Sequence, residues 1–284
     1  MTAILGAAAS AGKRAVRWKM PVVLIGLLSL IAIFAPHLAP YSDTMMDNYD
    51  AMINRAPSLA HPFGTDPLGR DVLSRVIYGS RVSLSLAVAA ALLAVGLATC
   101  YGSLAGLIGG TVDRVLMRAL DVALSIPRLL LLLAVTALWQ GLPLWGLIVL
   151  LGCTGWFDVA RLVRGEVQAL RGRDYIAAAV ATGVPRVRVF TRHVLPHLVP
   201  ILIVSTTLNV SSTIALEAGL SFLGLGIQPP DPSWGTIMKD GADAMGALWW
   251  LTLFPGVTMI IAVFSCHALG DALRDLFAMD QVPA

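Results

Sequence analysis

Six long apolar runs decide what this chain can fold into. They lie near Met20–Leu38, Val82–Ile108, Val115–Leu138, Leu142–Val159, Leu195–Leu216 and Ala247–Ala268. A helix needs about 20 apolar residues to cross a hydrocarbon core of roughly 30 Å, and the runs reach about that length. A membrane-spanning β-strand is about half as long and alternates polar with apolar positions, so a barrel is excluded. Composition agrees. Only 13% of the residues are charged and 57% are hydrophobic, whereas soluble domains carry about 25% charged residues. The mean hydropathy is +0.79. The expected fold class is all-α, a polytopic membrane protein with about six transmembrane helices.

Charge placement predicts the topology, because Lys and Arg collect on the cytoplasmic side. Lys13, Arg14, Arg17 and Lys19 precede the first run, and Arg161, Arg164, Arg171, Arg173, Arg186, Arg188 and Arg192 follow the fourth. The loop between the third and fourth runs has no charge, and that between the fifth and sixth sets Lys239 against Asp231, Asp240 and Asp243. Both termini are therefore expected in the cytoplasm. The first run is read as an uncleaved anchor: its core is long and its flank, with Pro36, His37 and Pro40, lacks a small-residue cleavage site. The expected organisation is a cytoplasmic N-terminus (1–19), a first transmembrane helix (20–38), an extracytoplasmic segment with an amphipathic helix (39–81), a five-helix core (82–270) and a cytoplasmic C-terminus (271–284). Within the core lie a cytoplasmic loop, 164–194, and an extracytoplasmic loop, 217–246. The net charge of +3 reflects this bias. No basic face interleaves with aromatics, so no nucleic-acid partner is expected. Cys100, Cys153 and Cys266 fall in apolar runs and fit neither a metal motif nor a disulfide framework.

Along the chain, Asp66 followed by Pro67 predicts a helix start, with Pro at the first helical position. Leu68, Val72, Leu73, Val76 and Ile77 then recur at helical spacing, giving an amphipathic helix on the outer face that runs into the second span. Gly102, Gly106 and Gly110 repeat every four residues on one face, where close helix packing is the preferred role over a pore lining. Pro127 kinks the third run. Asp121 and Arg128 sit in the same run, where a charge at the bilayer centre costs about 2.5–3.5 kcal/mol. Asp121 lies three residues from Arg118 on one face, and an interfacial pair is preferred to a place in a pathway. Asp158 with Arg161 poses the same choice in the fourth run, and Asn209 is the deepest polar residue of the fifth. Asp121, Asp158 and Asn209 are the candidate pathway or gate residues. Met45–Asp47 is too sparse to hold a metal.

The segment Glu217–Gly235, EAGLSFLGLGIQPPDPSWG, combines glycine turns with a stiff proline run. Ser233 is the expected N-cap of a helix starting at Trp234. Two readings stay open: a loop that plugs the outer vestibule or touches an external partner, and an interface hairpin with Trp234, Trp249 and Trp250 as belt residues.

The stretch Arg173–Pro200 is the most regular of the loops. Arg171-Gly172 ends one helix. Asp174 caps the next, Tyr175 to Thr182, about two turns or roughly 12 Å long. Gly183 ends it and Pro185 prevents its continuation. Its alanines give it a thin waist that a partner groove can seat, with Tyr175 and Ile176 as anchors. A lipid-bound surface helix would explain the arginines but would want bulkier apolar residues.

These residues carry a resemblance. Ala177-Ala178-Ala179, Gly183 three residues on, and Leu195-Pro196 together resemble the Glu-Ala-Ala loop of transmembrane subunits of bacterial ATP-binding-cassette importers. Ala177 stands where that family often has Glu. HPFGTDPLGRDVLSR (His61–Arg75), DRVLMRALDVALSIP (Asp113–Pro127), RDYIAAA and LSFLGLGIQPPDPSWG (Leu220–Gly235) resemble in particular the C-type permease of the dipeptide, oligopeptide and nickel group. The resemblance covers most of the chain from about His61 onward. It implies a type I importer permease fold in a bacterial inner membrane. The implied partners are a second, homologous permease, two cytoplasmic ATP-binding subunits, an extracytoplasmic substrate-binding protein and membrane lipid. On the resemblance, Asp174, Tyr175, Ala177, Ala178, Ala179, Gly183, Arg186 and Pro196 carry the coupling to the ATPase. Asp66, Arg70, Asp71, Gln228 and Trp234 are the candidate contacts for the binding protein. Dipeptides or oligopeptides are the default cargo, with nickel or another small solute behind.

The chain holds no Gly-x-x-x-x-Gly-Lys-Ser/Thr sequence to cradle a nucleotide. It is expected to be no enzyme and to bind no cofactor, with ATP and Mg on the partner ATPase subunits. An ion-coupled secondary transporter is the alternative from another class; Pro127 and Asp121 are its only hints, and no internal repeat supports it. His193 and His197 flank Pro196 with no acidic ligand nearby, and are read as cytoplasmic interface residues rather than a metal site.

Overall fold

The computed structural model describes residues 19–42, 53–139, 141–244 and 246–279. Lys13, Arg14, Arg17, Met45–Asp47 and the last residues of the C-terminal segment, 280–284, lie outside the described residues. Among those described there is no strand, only one isolated bridge between Thr65 and Asp71.

Helix α1 covers Lys19–Ile33 and is followed by a single turn, α2, at Ala35–Leu38. After the loop that ends at Asp71, α3 runs unbroken over Val72–Ile108. The broken pairs come next: α4 (Gly110–Leu124) with α5 (Arg128–Leu138), then α6 (Leu144–Thr154) with α7 (Phe157–Arg171). The short helix α8 (Asp174–Ala181) and the turn α9 (Arg186–Val189) lead through a π-helical turn, Phe190–Val194, into α10 (Leu195–Phe222). Helices α11 (Trp234–Asp243) and α12 (Trp249–Met279) complete the bundle.

Three stretches are long and apolar enough to cross a membrane as single helices: α3, Val187–Phe222 and Trp249–Phe277. Each broken pair supplies a further bent span and α1 a shorter apolar helix, so the expected six apolar segments are all helical. Two of them are not continuous, however. The third run bends by 70° between α4 and α5, and the fourth by 45° between α6 and α7. At the first break Pro127 is the N-cap of α5 and has no N–H to continue the ladder. At the second, Gly155 and Trp156 interrupt the fourth helix inside the run that hydropathy reads as one span. The fifth span also begins earlier than expected, at Val187, because hydropathy discounts Arg188, Arg192 and His193 on its first turns.

The start of α3 corrects another expectation. Asp66 does not cap a helix at Pro67. Its Oδ1 accepts the N–H groups of Leu68 and Arg70, both at 2.8 Å, which folds residues 66–70 into a turn. Gly69 completes that turn at φ +75°. The N-cap is Asp71, whose Oδ2 accepts the Ser74 N–H at 2.8 Å. Nor does the first stretch of α3 lie on the membrane face. Val72 and Val76 are buried, and they belong to a core cluster with Ile214, Trp234, Ile237 and Leu251.

Helix α3 is the axis of the bundle and packs on α6, α7 and α10. Lipid tails are as apolar as the helices, so close backbone approach must replace hydrophobic collapse. Gly102 and Gly106 provide it. A Cβ on Gly102 would sit 2.4 Å from the Ala160 carbonyl oxygen of α7, and one on Gly106 would sit 2.8 Å from Val167. Gly110 does not extend this face, because α3 ends at Ile108 and Gly109 turns the chain at φ +68°. Gly102→Val is therefore expected to cost about 1–3 kcal/mol or more through overpacking. The check is the thermal unfolding midpoint of the detergent-purified chain, with Gly96→Ala, where a Cβ meets nothing within 4 Å, as the near-neutral comparison in the same helix.

Candidate functional site

The arginine-rich end of the bundle is built around α8. Gly183 ends that helix in the left-handed region at φ +82°. The Val184 N–H donates to the Ala179 carbonyl at 3.1 Å, closing a Schellman turn. Asp174 is the first residue of the helix rather than its cap, and its carboxylate suits the positive end of the helix dipole. Ile176 does not face outward as an anchor. It is 1% exposed and packs with Val189, Val194, Leu198 and the α7 residues Val163 and Val167. Tyr175 is exposed, and its ring lies 6.3 Å from that of His193 and 6.4 Å from that of His197. Helix α8 is thus seated on α7 and on the start of α10, and it leaves Asp174, Tyr175, Ala178 and Gly183 on its free surface. Ala179 is half-buried. The side chains of Ala177 and Arg186 lie outside the described residues. Pro196 stands in the first turn of α10, next to the π turn, with no N–H to give to the turn before it.

Beside α8, charged pairs tie α4 to α7. Arg164 holds Asp113 through two hydrogen bonds, and Gln168 Nε2 reaches the same carboxylate at 3.1 Å. Asp121 pairs with Arg161, not with Arg118 as its spacing suggested. That pair is exposed and joins α4 to α7 outside the cavity at the breaks.

The two breaks meet at half depth. Helices α5 and α6 each have 11 residues, so each runs about 16 Å, half of a core of roughly 30 Å. Arg128, the first residue of α5, crosses to the other pair. Its Nη2 donates to the Leu151 carbonyl at 2.9 Å and its Nε to Thr154 Oγ1 at 3.3 Å. Asp158, in the first turn of α7, is exposed on the same cavity of about 260 Å³. Gly155 keeps the crossing open: a Cβ there would lie 2.8 Å from Arg128 Nη2 and 3.3 Å from Asn209 Oδ1. Asn209 is half-buried and its Nδ2 donates to the Ser205 carbonyl at 3.2 Å. Of the three residues singled out for a pathway, the fold therefore brings Asp158 and Asn209 together with Arg128 and sets Asp121 apart. Arg128 itself was visible as a charge beside Pro127, but its partners are 23 and 26 positions away, beyond any spacing rule.

At the tryptophan-rich end the expected partner contacts are mostly inside the fold. Asp66 is 0% exposed, and its Oδ2 accepts from Arg70 Nε at 2.6 Å and Arg75 Nη1 at 2.7 Å. Arg75 continues to Asp240 at 2.8 Å. Asp71 is buried with His61 Nδ1 at 2.9 Å. Trp234 is 0% exposed and donates Nε1 to the Val76 carbonyl at 3.3 Å. Burial removes Asp66, Asp71 and Trp234 from the surface, and Arg70 is turned mostly inward. Gln228 remains exposed, folded back on the Gly224 and Gly226 carbonyls. Trp249 is exposed, whereas Trp250 is buried with its Nε1 on the Thr65 carbonyl. Ser233 caps α11 in a reciprocal box with Thr236, as its position predicted. On the surface of α11 the Asp243 carboxylate bonded to Lys239 holds its ammonium above the usual lysine range.

A residue without a sequence signal organises the same end. Glu217 of α10 is 1% exposed; its carboxylate accepts from Ser83 Oγ at 3.0 Å and Ser221 Oγ at 2.7 Å. Ser221 Oγ in turn accepts the Ile227 N–H at 3.1 Å. Through these hydroxyls α10 holds both α3 and the turn at Gly226.

Comparison with known proteins converges on one family. Residues 98–280 match the family described as "Binding-protein-dependent transport system inner membrane component". The chain is similar to the oligopeptide transport system permease protein OppC of Escherichia coli strain K12, with 41% identity over 89% of this chain and 84% of that protein. It is similar to OppC of Haemophilus influenzae, at 35% identity over 93% of this chain and 86% of that one. The dipeptide transport system permease protein DppC of Bacillus subtilis is 38% identical over 87% of this chain and 77% of its own length.

Proposed function

The chain belongs to the family of binding-protein-dependent transport system inner membrane components, and on that premise we propose that it forms half of the translocation pathway of an ATP-driven peptide importer. The single observation that carries the coupling role is α8, a short helix seated on α7 and α10 by Ile176 and bare on its other face. The named functions of similar permeases, oligopeptide and dipeptide transport, support peptides as cargo.

In this reading the arginine-rich end faces the cytoplasm, as the positive-inside bias favours, and both termini lie there. A second, homologous permease completes the pathway. Two ATP-binding subunits take ATP and Mg and press on Asp174, Tyr175, Ala177, Ala178, Ala179, Gly183 and Arg186. Their movement displaces α8 and, through the Ile176 cluster and the turn before Pro196, rocks α7 and α10 together. The chain performs no chemistry of its own. An extracytoplasmic binding protein delivers cargo at the tryptophan-rich end, where Gln228 and the exposed edge of Arg70 are the remaining candidates for contact.

The test is import of a radiolabelled dipeptide into proteoliposomes containing the complete complex. Uptake should require ATP on the ATPase side and the binding protein on the other. Uptake driven by an ion gradient without ATP would instead establish a secondary transporter.

A further inference from the structure

The cavity at the two breaks holds opposite charges that do not meet. Arg128 is anchored from one side by Thr154 and the Leu151 carbonyl. Its third nitrogen, Nη1, makes no hydrogen bond among the described residues, and no ion pair joins Arg128 to Asp158 or to any other carboxylate there. Asp158 faces the same cavity within electrostatic reach of Arg128, and it makes no hydrogen bond or ion pair among the described residues. Opposite charges attract strongly where water is scarce, and elsewhere in this chain they do close on each other, as in Arg161 with Asp121 and Arg164 with Asp113. Here Arg128 is bonded to Thr154 and the Leu151 carbonyl instead. Charged groups at membrane depth are costly and mark ligand routes, and in secondary transporters, a different class, broken helices near the midplane form the solute site. The N-termini of α5 and α7 both open at this place with no side-chain cap, adding positive dipole beside Arg128. Pro127, Leu131 and Phe157 supply apolar walls.

We propose that Arg128 and Asp158 form a two-charge clamp for the zwitterionic ends of a short peptide, Arg128 taking the terminal carboxylate and Asp158 the terminal ammonium. The proposal rests on the peptide-importer reading and deepens it. A cavity of about 260 Å³ is small beside the usual range of about 300–1,000 Å³ for a complete site, which fits one half of a site closed by the second permease. Asn209 Oδ1 lies against Gly155 at the edge of the crossing.

The experiment compares a free dipeptide with its C-terminal amide in proteoliposomes of the complete complex, at concentrations that saturate the binding protein. The wild-type complex should import the free form about tenfold faster or more, since a site built around a charged group rejects the analogue lacking it. Arg128→Gln should erase that preference, and Arg128→Lys should keep part of it. Asp158→Asn should instead erase the preference for a free over an acetylated amino end. Co-purification of the ATPase subunits reports that each variant assembles. A second readout bypasses the binding protein: Leu131→Cys, with Cys100, Cys153 and Cys266 replaced by alanine, is alkylated in the presence of the free dipeptide or its amide. The free form should protect the thiol, the amide should not, and Arg128→Gln should abolish the difference. Equal slowing of both peptides by Arg128→Gln, or equal protection by both, would overturn the clamp and leave Arg128 a structural tie between α5 and α6. Absence of any peptide import by the wild-type complex would count against the peptide reading itself.

Discussion

An Asp66→Ala chain is expected to lose about 3–5 kcal/mol of stability, the usual result of removing one partner from a buried ion pair. Asp66 is 0% exposed and Arg75 is 4% exposed. Without the carboxylate, the Arg75 guanidinium keeps only Asp240, and Arg70 loses its 2.6 Å contact. The N–H groups of Leu68 and Arg70 lose their acceptor as well. Three of these four losses fall on the turn itself, and the fourth removes its tie to α3. The loop that carries it is held to α12 by the Thr65 carbonyl on Trp250 Nε1. The thermal unfolding midpoint in detergent and the rate of proteolysis between residues 53 and 71 read the effect directly. Asp66→Asn should fall between, since it keeps an acceptor but not the charge. An unchanged midpoint and unchanged cleavage for Asp66→Ala would mean that this knot does not hold the loop before α3.

Ala178→Arg is expected to reduce import at least about tenfold, the loss that follows when one central contact worth about 1.4 kcal/mol or more is removed. Ala178 is exposed on the free face of α8, so a longer side chain clashes with nothing inside the chain and strikes only a partner. Gly183→Glu should act in the same sense. It places a side chain in open space, although at φ +82° it also strains the end of the helix. Ile176→Ala separates the two halves of the lever. It leaves the free face intact but loosens the seat on α7 and α10, so ATP hydrolysis should persist while import per ATP falls. Wild-type import by Ala178→Arg, together with normal co-purification of the ATPase subunits, would remove α8 from the coupling route.

The legible parts of the structure were those with local causes. Gly183 ends α8 because a glycine reaches φ +82° without a Cβ penalty, and Ser233 caps α11 because its hydroxyl reaches the Thr236 N–H. Both are events within a few residues, and both could be read from spacing. The cap at Asp71 was misplaced to Asp66 because two aspartates five positions apart each precede an apolar helical pattern. What separates them is that Asp66 is taken up by Arg70 and Arg75, which leaves Asp71 to accept the Ser74 N–H. Ile176 was misread as an anchor for a partner, because an isolated two-turn helix shows its periodicity but not which side its own chain will cover.

By itself the sequence determined the membrane class, the number of apolar segments, the small-residue packing face and the family, since hydropathy, glycine spacing and motif order are properties of consecutive residues. The tertiary structure decided which charges neutralise each other. Asp121 chose Arg161 across 40 positions over Arg118 at three, Asp113 chose Arg164, and Arg128 was left facing Asp158 without touching it. Pro127 announced one of the two breaks, whereas the fold added the second at Gly155 and Trp156 and brought the two together. The physical reason is that a buried charge is governed by whatever polar group arrives within hydrogen-bonding reach, and in a helical bundle those groups come from other helices.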